Sequence, residues 1–281
     1  MIETDVVPAA DNRAGPKIEP SNSLSVNSDV LRIMMESAWT NPRDIEKVRA
    51  DSFKELDIVP GLASRSYYSI PYGNKDGGKT MVEGLSIRSA MTLARNWHNC
   101  FNDGRVVDED KSNYYVNGIF FDLESNLTTI RQIKVSKFIK PRGGQGVVPL
   151  NADMMRNAIQ AGVSKAVRNA ILASLPDWLT QGYFERAKQL VINPPKTAGK
   201  ETESIQARVE KGKALIRKEF KVSEVELDTY LADNAELFED DNALLVHLLG
   251  IFNGIKEGQT TVEAIFRPKM MEQPAMPQAK K

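Results

Sequence analysis

The 281-residue chain has little of the chemistry that disulfides, metal sites and nucleophilic active sites require. Cys100 is its only cysteine, which excludes an intramolecular disulfide and favours a reducing compartment. The only histidines, His98 and His247, have no cysteine, second histidine or paired carboxylates at ligand spacing. A G-x-S-x-G nucleophile elbow is also absent. The sequence therefore predicts no metal, no cofactor and no enzyme.

Long apolar runs are missing as well. No stretch approaches the ~20 residues of a membrane span, and residues 1–16 have neither the basic start nor the apolar segment of a secretory signal. We expect a cytoplasmic protein with no membrane partner.

Charge is balanced overall but not along the chain. Lysine plus arginine and aspartate plus glutamate number 37 each. Residues 1–60 carry a net charge of −4, residues 61–195 carry +6 and residues 196–281 carry −2. The middle segment is therefore the basic one.

A glycine-rich motif in this middle segment supports two incompatible interpretations. Gly73, Gly78, Lys79 and Thr80 match the pattern G-x-x-x-x-G-K-[ST], in which backbone N–H groups cradle phosphates and the Thr hydroxyl binds magnesium. On that interpretation the chain is a P-loop ATPase, and the strand ending at Asp122 is its acidic strand.

The flanks of the motif favour a β-hairpin. A P-loop follows a buried aliphatic strand, whereas residues 66–72 alternate in polarity and contain Pro71, which suits a strand edge or end. A helix starting at Lys79 would also include Gly84, and the helical periodicity begins only at Ser86. The hairpin interpretation instead pairs residues 67–72 with the KTMVE strand and places the helix after it, at residues 86–98.

The pattern of elements predicts an α+β fold. Two helices are expected before the hairpin, the second from Asp44 to Leu56 with Asn41 and Pro42 as its cap and first residue. Three strand-like runs then precede a long helix that Asn151 caps, and a small all-α module closes the chain, with capping residues at Ser223 and Thr260. The predicted divisions are a disordered arm (1–28), an α+β core (29–192), a linker (193–202), a helical module (203–266) and a flexible tail (267–281).

Basic residues concentrate in the last strand and in the long helix. Alternation places Arg131 and Lys134 on opposite faces of the strand, and Lys137, Lys140 and Arg142 follow beside a glycine-rich loop. This combination indicates nucleic-acid binding, although a solvated edge strand protected by lysines has the same pattern.

The helix adds a basic face of its own. Arg156 and Arg168 share that face with Lys165 adjacent, and no carboxylate lies three or four residues after them. We therefore expect a face that is not neutralised locally and that suits polyanions.

Several motifs resemble those of phage single-strand annealing proteins of the RecT, Redβ and Erf superfamily. They are the G-x-S-x-R helix start at Gly84, Ser86 and Arg88, the GRVVDED and FFDLESN runs, and SKAVRNAILASLP in the long helix. The likeness covers roughly residues 61–266. One departure is the glycine-rich turn, because an ATP-independent annealing protein does not need a P-loop match.

The resemblance implies a curved β-sheet packed on a long helix, assembly into rings or helical filaments, and annealing of complementary strands in phage recombination, in the host-cell cytoplasm. Single-stranded DNA would lie in a basic groove with its bases exposed for pairing. The candidate groove residues are Arg131, Lys134, Lys137, Arg156, Lys165 and Arg168, with Arg88 and the neighbouring Lys140 and Arg142.

Two other functions stay open from the sequence. One is the P-loop ATPase, acting in recombination or replication. The other is an adaptor whose helical module and tail recruit a partner such as the host single-strand-binding protein or a phage exonuclease.

Overall fold

The computed structural model describes residues 28–59, 61–73, 79–139, 146–195 and 203–267. The rest of the predicted arm and tail, most of the predicted linker, and the candidate residues Gly78, Lys140 and Arg142 lie outside these ranges. The helices are α1 (Ser28–Thr40), α2 (Ile45–Ile58), α3 (Ile87–Trp97), α4 (Ala152–Ser174), α5 (Asp177–Ile192), α6 (Ile205–Phe220), α7 (Glu224–Asp233), α8 (Asp241–Lys256) and α9 (Val262–Phe266). The strands are β1 (Tyr67–Gly73), β2 (Lys79–Leu85), β3 (Cys100–Glu109), β4 (Asn113–Asp122), β5 (Leu127–Ser136), β6 (Phe138–Ile139) and β7 (Val148–Pro149).

This arrangement confirms the predicted α+β class. The sheets are small and antiparallel, the three-stranded one packs against α4, and an all-α segment follows. β1 pairs with β2, β3, β4 and β5 form a second sheet in that order, and β6 pairs with β7.

The first sheet is the predicted hairpin. β1 and β2 are antiparallel in a register that pairs Tyr67 with Leu85 and Gly73 with Lys79. α3 begins directly after β2, and the Ser86 hydroxyl caps it by accepting a hydrogen bond from the Ser89 N–H at 3.2 Å. Lys79 therefore opens a strand rather than a helix.

The long helix α4 lies unusually close to the three-stranded sheet. A Cβ atom at Gly118 of β4 would overlap the Ala166 backbone, and one at Gly162 would overlap the Val135 side chain of β5. Glycine at these positions permits the close approach because it has no side chain. Asn151 caps α4 as predicted, accepting a hydrogen bond from the Met154 N–H at 2.9 Å.

A buried ion pair joins Arg43, in the connection between α1 and α2, to Asp122 at the end of β4. The Arg43 guanidinium donates two hydrogen bonds of 2.6 Å to the Asp122 carboxylate and lies 4.2 Å from the centre of the Trp97 ring. Asp44 caps α2, accepting from the Lys47 N–H at 3.1 Å. The predicted cap at Asn41 and Pro42 is therefore wrong, because a carboxylate next to the helix start satisfies its free N–H groups.

The C-terminal helices share the core of the hairpin. α8 packs on β1, with Gly250 against Ser69 and Gly254 against Ile70. The Asn253 amide donates to the Tyr67 carbonyl at 2.7 Å, and one hydrophobic cluster contains buried residues of β1, α4, α5, α6 and α8.

The two predicted caps in this region have different outcomes. Ser223 and Glu226 form the predicted capping box at α7. The cap of α9 is Thr261 rather than Thr260, because the Thr261 hydroxyl is the one that accepts from the Ala264 N–H.

Candidate nucleic-acid interface

Two neighbouring cations of α4 lie at a partly buried position without an ion-pair partner among the described residues. Lys165 is half-buried, and Arg168 is only 4 % exposed. Burial lowers the pKa of Lys165, and the nearby Arg168 cation lowers it further. Both effects disfavour the charged form of the lysine. A bound anion would stabilise that form and offset both.

Arg168 lies under other side chains instead of facing solvent as predicted. Its guanidinium lies 4.9 Å from the centre of the Tyr68 ring, and its Nε and Nη2 donate to the Asn169 side-chain oxygen at 3.2 and 3.0 Å. The third nitrogen, Nη1, is buried and has no hydrogen-bond partner among the described residues. The helical pattern could not show this burial, because Tyr68 comes from a strand about a hundred residues earlier.

Arg88 and Glu257 complete this cluster. Arg88 is exposed in the first turn of α3, where the Ile87 N–H donates to a Glu257 carboxylate oxygen at 3.4 Å. Burial raises the pKa of Glu257, and the Ile87 N–H and the positive charges of Arg168 and Arg88 offset part of that rise. We call Arg88, Lys165 and Arg168 the cationic cluster, and Glu257 is the one carboxylate with which it interacts in the described part of the chain.

Arg131 is on the face of β5 that is turned towards α4, whereas Lys134 is on the other face. Arg131 pairs with Gly118, and Gly118 abuts the Ala166 backbone, so Arg131 is one strand spacing from α4 at the level of Lys165. Lys134 alternates with Val135, the residue that packs on α4. Both side chains are exposed and make no ion pair among the described residues.

Two other predicted groove residues already have counter-charges. Lys137 forms an ion pair with Glu109 at 2.7 Å and lies 4.3 Å from the centre of the Tyr114 ring. Arg156 forms an ion pair with Asp153. The expectation that the basic face of α4 has no local partner is therefore wrong at Arg156, because the carboxylate lies three residues before it rather than after it.

The described residues of the P-loop match, Gly73, Lys79 and Thr80, lie in a β-hairpin rather than between a strand and the start of a helix. Lys79 and Thr80 lie within β2, the Lys79 ammonium donates to the Asp233 carbonyl, and the Thr80 hydroxyl is 3.5 Å from the Tyr72 carbonyl. Asp122 is not available as a magnesium ligand, because Arg43 and the Trp97 indole N–H, at 3.0 Å, occupy its carboxylate.

Within the ranges that the structure describes, neither the histidine environment nor the acidic residues form a metal site. His247 is buried between the Ser69 hydroxyl at 3.3 Å and the Tyr230 hydroxyl at 2.6 Å, and burial lowers its pKa to about 3. Across the described residues, no three His, Cys, Asp or Glu side chains are grouped as metal ligands. Nor does any helix in those ranges have the length and apolar character needed to cross a bilayer.

Comparisons with protein-family models, with curated proteins and with solved structures found no match. The likeness to phage annealing proteins therefore rests on the sequence motifs alone.

Sequence reasoning missed two residues of this site, Tyr68 and Glu257. Neither lies near α4 in the sequence, and no motif marks either of them. Gly258, which follows Glu257, has a positive φ of 66° and lies against Ala161 of α4. A glycine after a helix is an ordinary end signal, and it does not indicate which surface the turn will contact.

Proposed function

We propose that this protein binds single-stranded DNA and anneals complementary strands without nucleotide hydrolysis, acting as a ring or filament of identical chains. The observation that carries the proposal is the pair Lys165 and Arg168, two adjacent cations held partly or fully out of water without an ion-pair partner in the described residues. Such a site has a positive potential that an anion would neutralise.

A DNA backbone fits this site better than a small anion does. Exposed Arg131, on the face of β5 that is turned towards α4, adds a further positive charge, and a chain of phosphates could use it together with the cationic cluster whereas a single small anion could not. Neutralising successive phosphates with Lys and Arg gives affinity that does not depend on sequence. Base pairing between the two strands would then supply the specificity, so the protein needs no base-reading groups.

The test is annealing of two complementary fluorescent oligonucleotides by the purified protein, with and without ATP and Mg²⁺. We expect the protein to accelerate annealing equally in both conditions, because Lys79 and Thr80 are strand residues. Lys79→Ala should leave the rate unchanged. A strict requirement for ATP, or no acceleration at any protein concentration, would contradict the proposal.

The adaptor function also has an observation in its favour. A cavity of about 460 Å³ separates the end of the hairpin from α7 and α9, with Tyr230, Ile265 and Phe266 among its apolar lining and Lys79 and Arg267 at its polar side. Glu226 and Asp233 also line this cavity, and Arg267 is already paired with Glu226, so an apolar residue of a partner peptide would suit this lining. Phe266→Ala should then remove partner binding while strand annealing continues.

A further inference from the structure

The turn after α8 places a carboxylate where an incoming phosphate would be most favourable. Glu257 lies at the N-terminus of α3, where free N–H groups and the helix dipole attract anions. Its contact with the Ile87 N–H is 3.4 Å long, beyond the usual 2.7 to 3.2 Å range of such bonds. Glu257 therefore occupies the anion position but is held there weakly.

The surrounding positive charge exceeds what Glu257 can neutralise. The positive charges of Arg168 and Arg88 both act on this one carboxylate, the Lys165 cation lies next to Arg168, and no salt bridge within 4 Å joins Glu257 to any of the three in the described residues. The buried Nη1 of Arg168 still lacks a hydrogen-bond acceptor. This unpartnered donor is an observation independent of the helix N-terminus, and an anion from outside the chain would supply the negative charge that it lacks.

Rotation of the Glu257 side chain alone would free the N-terminus of α3 for a phosphate group. α8 itself is anchored, because Gly250 and Gly254 lie directly against β1 and Asn253 bonds to the Tyr67 carbonyl. Glu257 follows the last residue of α8 and precedes Gly258, so its side chain can rotate away without displacing the helix. Burial disfavours its charged form, which lowers the cost of leaving.

We propose that Glu257 is an intrachain competitor for the phosphate groups of single-stranded DNA. A phosphodiester group binds between Arg88, Lys165 and the N-terminus of α3, and the buried Arg168 adds positive charge. The phosphate displaces the Glu257 carboxylate from the N-terminus of α3. The inference rests on the proposed DNA-binding function and adds a regulatory element to it. The C-terminal helices thereby set the DNA affinity of a site built mainly by α3 and α4.

The test is Glu257→Gln, measured by fluorescence anisotropy with a labelled oligo(dT) at several salt concentrations. Gln keeps an oxygen that can accept from the Ile87 N–H, so the start of α3 is preserved. We expect roughly five-fold tighter binding at low salt, from removal of one negative charge several ångströms from a phosphate. The gain should shrink as salt rises.

Glu239→Gln is the matched control, because Glu239 is an exposed carboxylate of the same helical module with no ion pair among the described residues. It should change affinity less than two-fold. In the double variant Glu257→Gln with Lys165→Gln, the gain should be lost, since it acts through the cationic cluster.

The outcomes separate the two proposals. If the wild type binds oligo(dT) and Glu257→Gln binds equally or more weakly while remaining folded, Glu257 is only a helix cap and the competitor role is wrong. If neither protein binds oligo(dT) at low salt although both are folded, the DNA-binding function itself is wrong, and the competitor role fails with it.

Discussion

Lys165 is the residue whose change most directly tests the cationic cluster. Lys165→Glu should weaken binding to single-stranded DNA roughly ten-fold or more at low salt, because it removes a phosphate contact and adds a repulsive charge. It should also reduce the slope of log affinity against log salt by about 0.7. Both quantities come from anisotropy titrations across a salt series.

Lys218→Glu is the control for this change, since Lys218 is exposed on α6 without an ion pair among the described residues. Arg168→Glu would be less informative, because a carboxylate at that buried position would disrupt packing. Equal affinities for wild type and Lys165→Glu, with both folded, would move the DNA site away from α4.

The Asp122 carboxyl group should make the stability of the fold depend on pH in the acid range. Burial would raise the pKa of its carboxyl, but hydrogen bonds from Arg43, Trp97 and the N–H groups of Ser125 and Glu124 outweigh burial and lower the pKa to about 2. An unfolded aspartate has a pKa near ~3.9. The carboxylate therefore stabilises the fold above about pH 4, and this contribution is lost as the pH falls towards 2.

Arg43→Ala should destabilise the protein by about 3 to 5 kcal/mol at pH 7, because it leaves a buried carboxylate unpaired. Urea unfolding at pH 7 and at pH 3 measures both effects. The difference in stability between the two pH values should be smaller for Arg43→Ala than for the wild type. An equal difference would show that this ion pair does not govern the acid response.

The sequence predicted which residues are charged, but it did not predict which charges are paired in the fold. The basic character of Lys165 and the lack of a nearby carboxylate were visible in the helix pattern. The partners of Lys137 and Arg168 were not, because Glu109 and Tyr68 reach them only through the sheet pairing and the helix packing. A sequence shows which charges exist, whereas the tertiary fold decides which of them are neutralised.

At the scale of the elements, the packing of α4 on β4 leaves no space for a side chain at Gly118. Gly118→Ala should destabilise the protein by roughly 2 to 3 kcal/mol or more, because the new methyl group meets the Ala166 backbone rather than a movable side chain. Gly73→Ala is the control, since a Cβ there meets nothing within 4 Å. Thermal unfolding of both variants measures the contrast, and equal melting temperatures would contradict this packing.

Local signals predicted most elements correctly. Proline in β1, the glycine-rich turn and the late start of the α3 periodicity together favoured the hairpin, and Asn151 and Ser223 were predicted correctly as caps. The first residues of β3 were missed, because Cys100–Asp103 show no clear alternation and become strand by pairing with β4. The packing of α8 on β1 was not predictable either, since it joins segments about 180 residues apart.

At the scale of the whole molecule, the proposed ring or filament can be tested through the edges of the three-stranded sheet. β3 and β5 are the outer strands of their sheet, and an edge strand has backbone groups that can pair with another chain. Light scattering after size exclusion should give a mass above the 31.3 kDa of one chain, increasing with single-stranded DNA. A monomer in both conditions, with active annealing, would contradict a ring or filament.

The contact between α8 and β1 also bears on the order in which the protein is made. β1 is synthesised early, but the helix that covers it ends at Lys256, close to the end of the described chain. At elongation rates of about 5 to 20 residues per second, the hairpin waits roughly 10 to 40 s for its partner. During translation, an apolar face of the nascent chain is therefore exposed to chaperones, and a message truncated before α8 would yield a product destined for proteolysis.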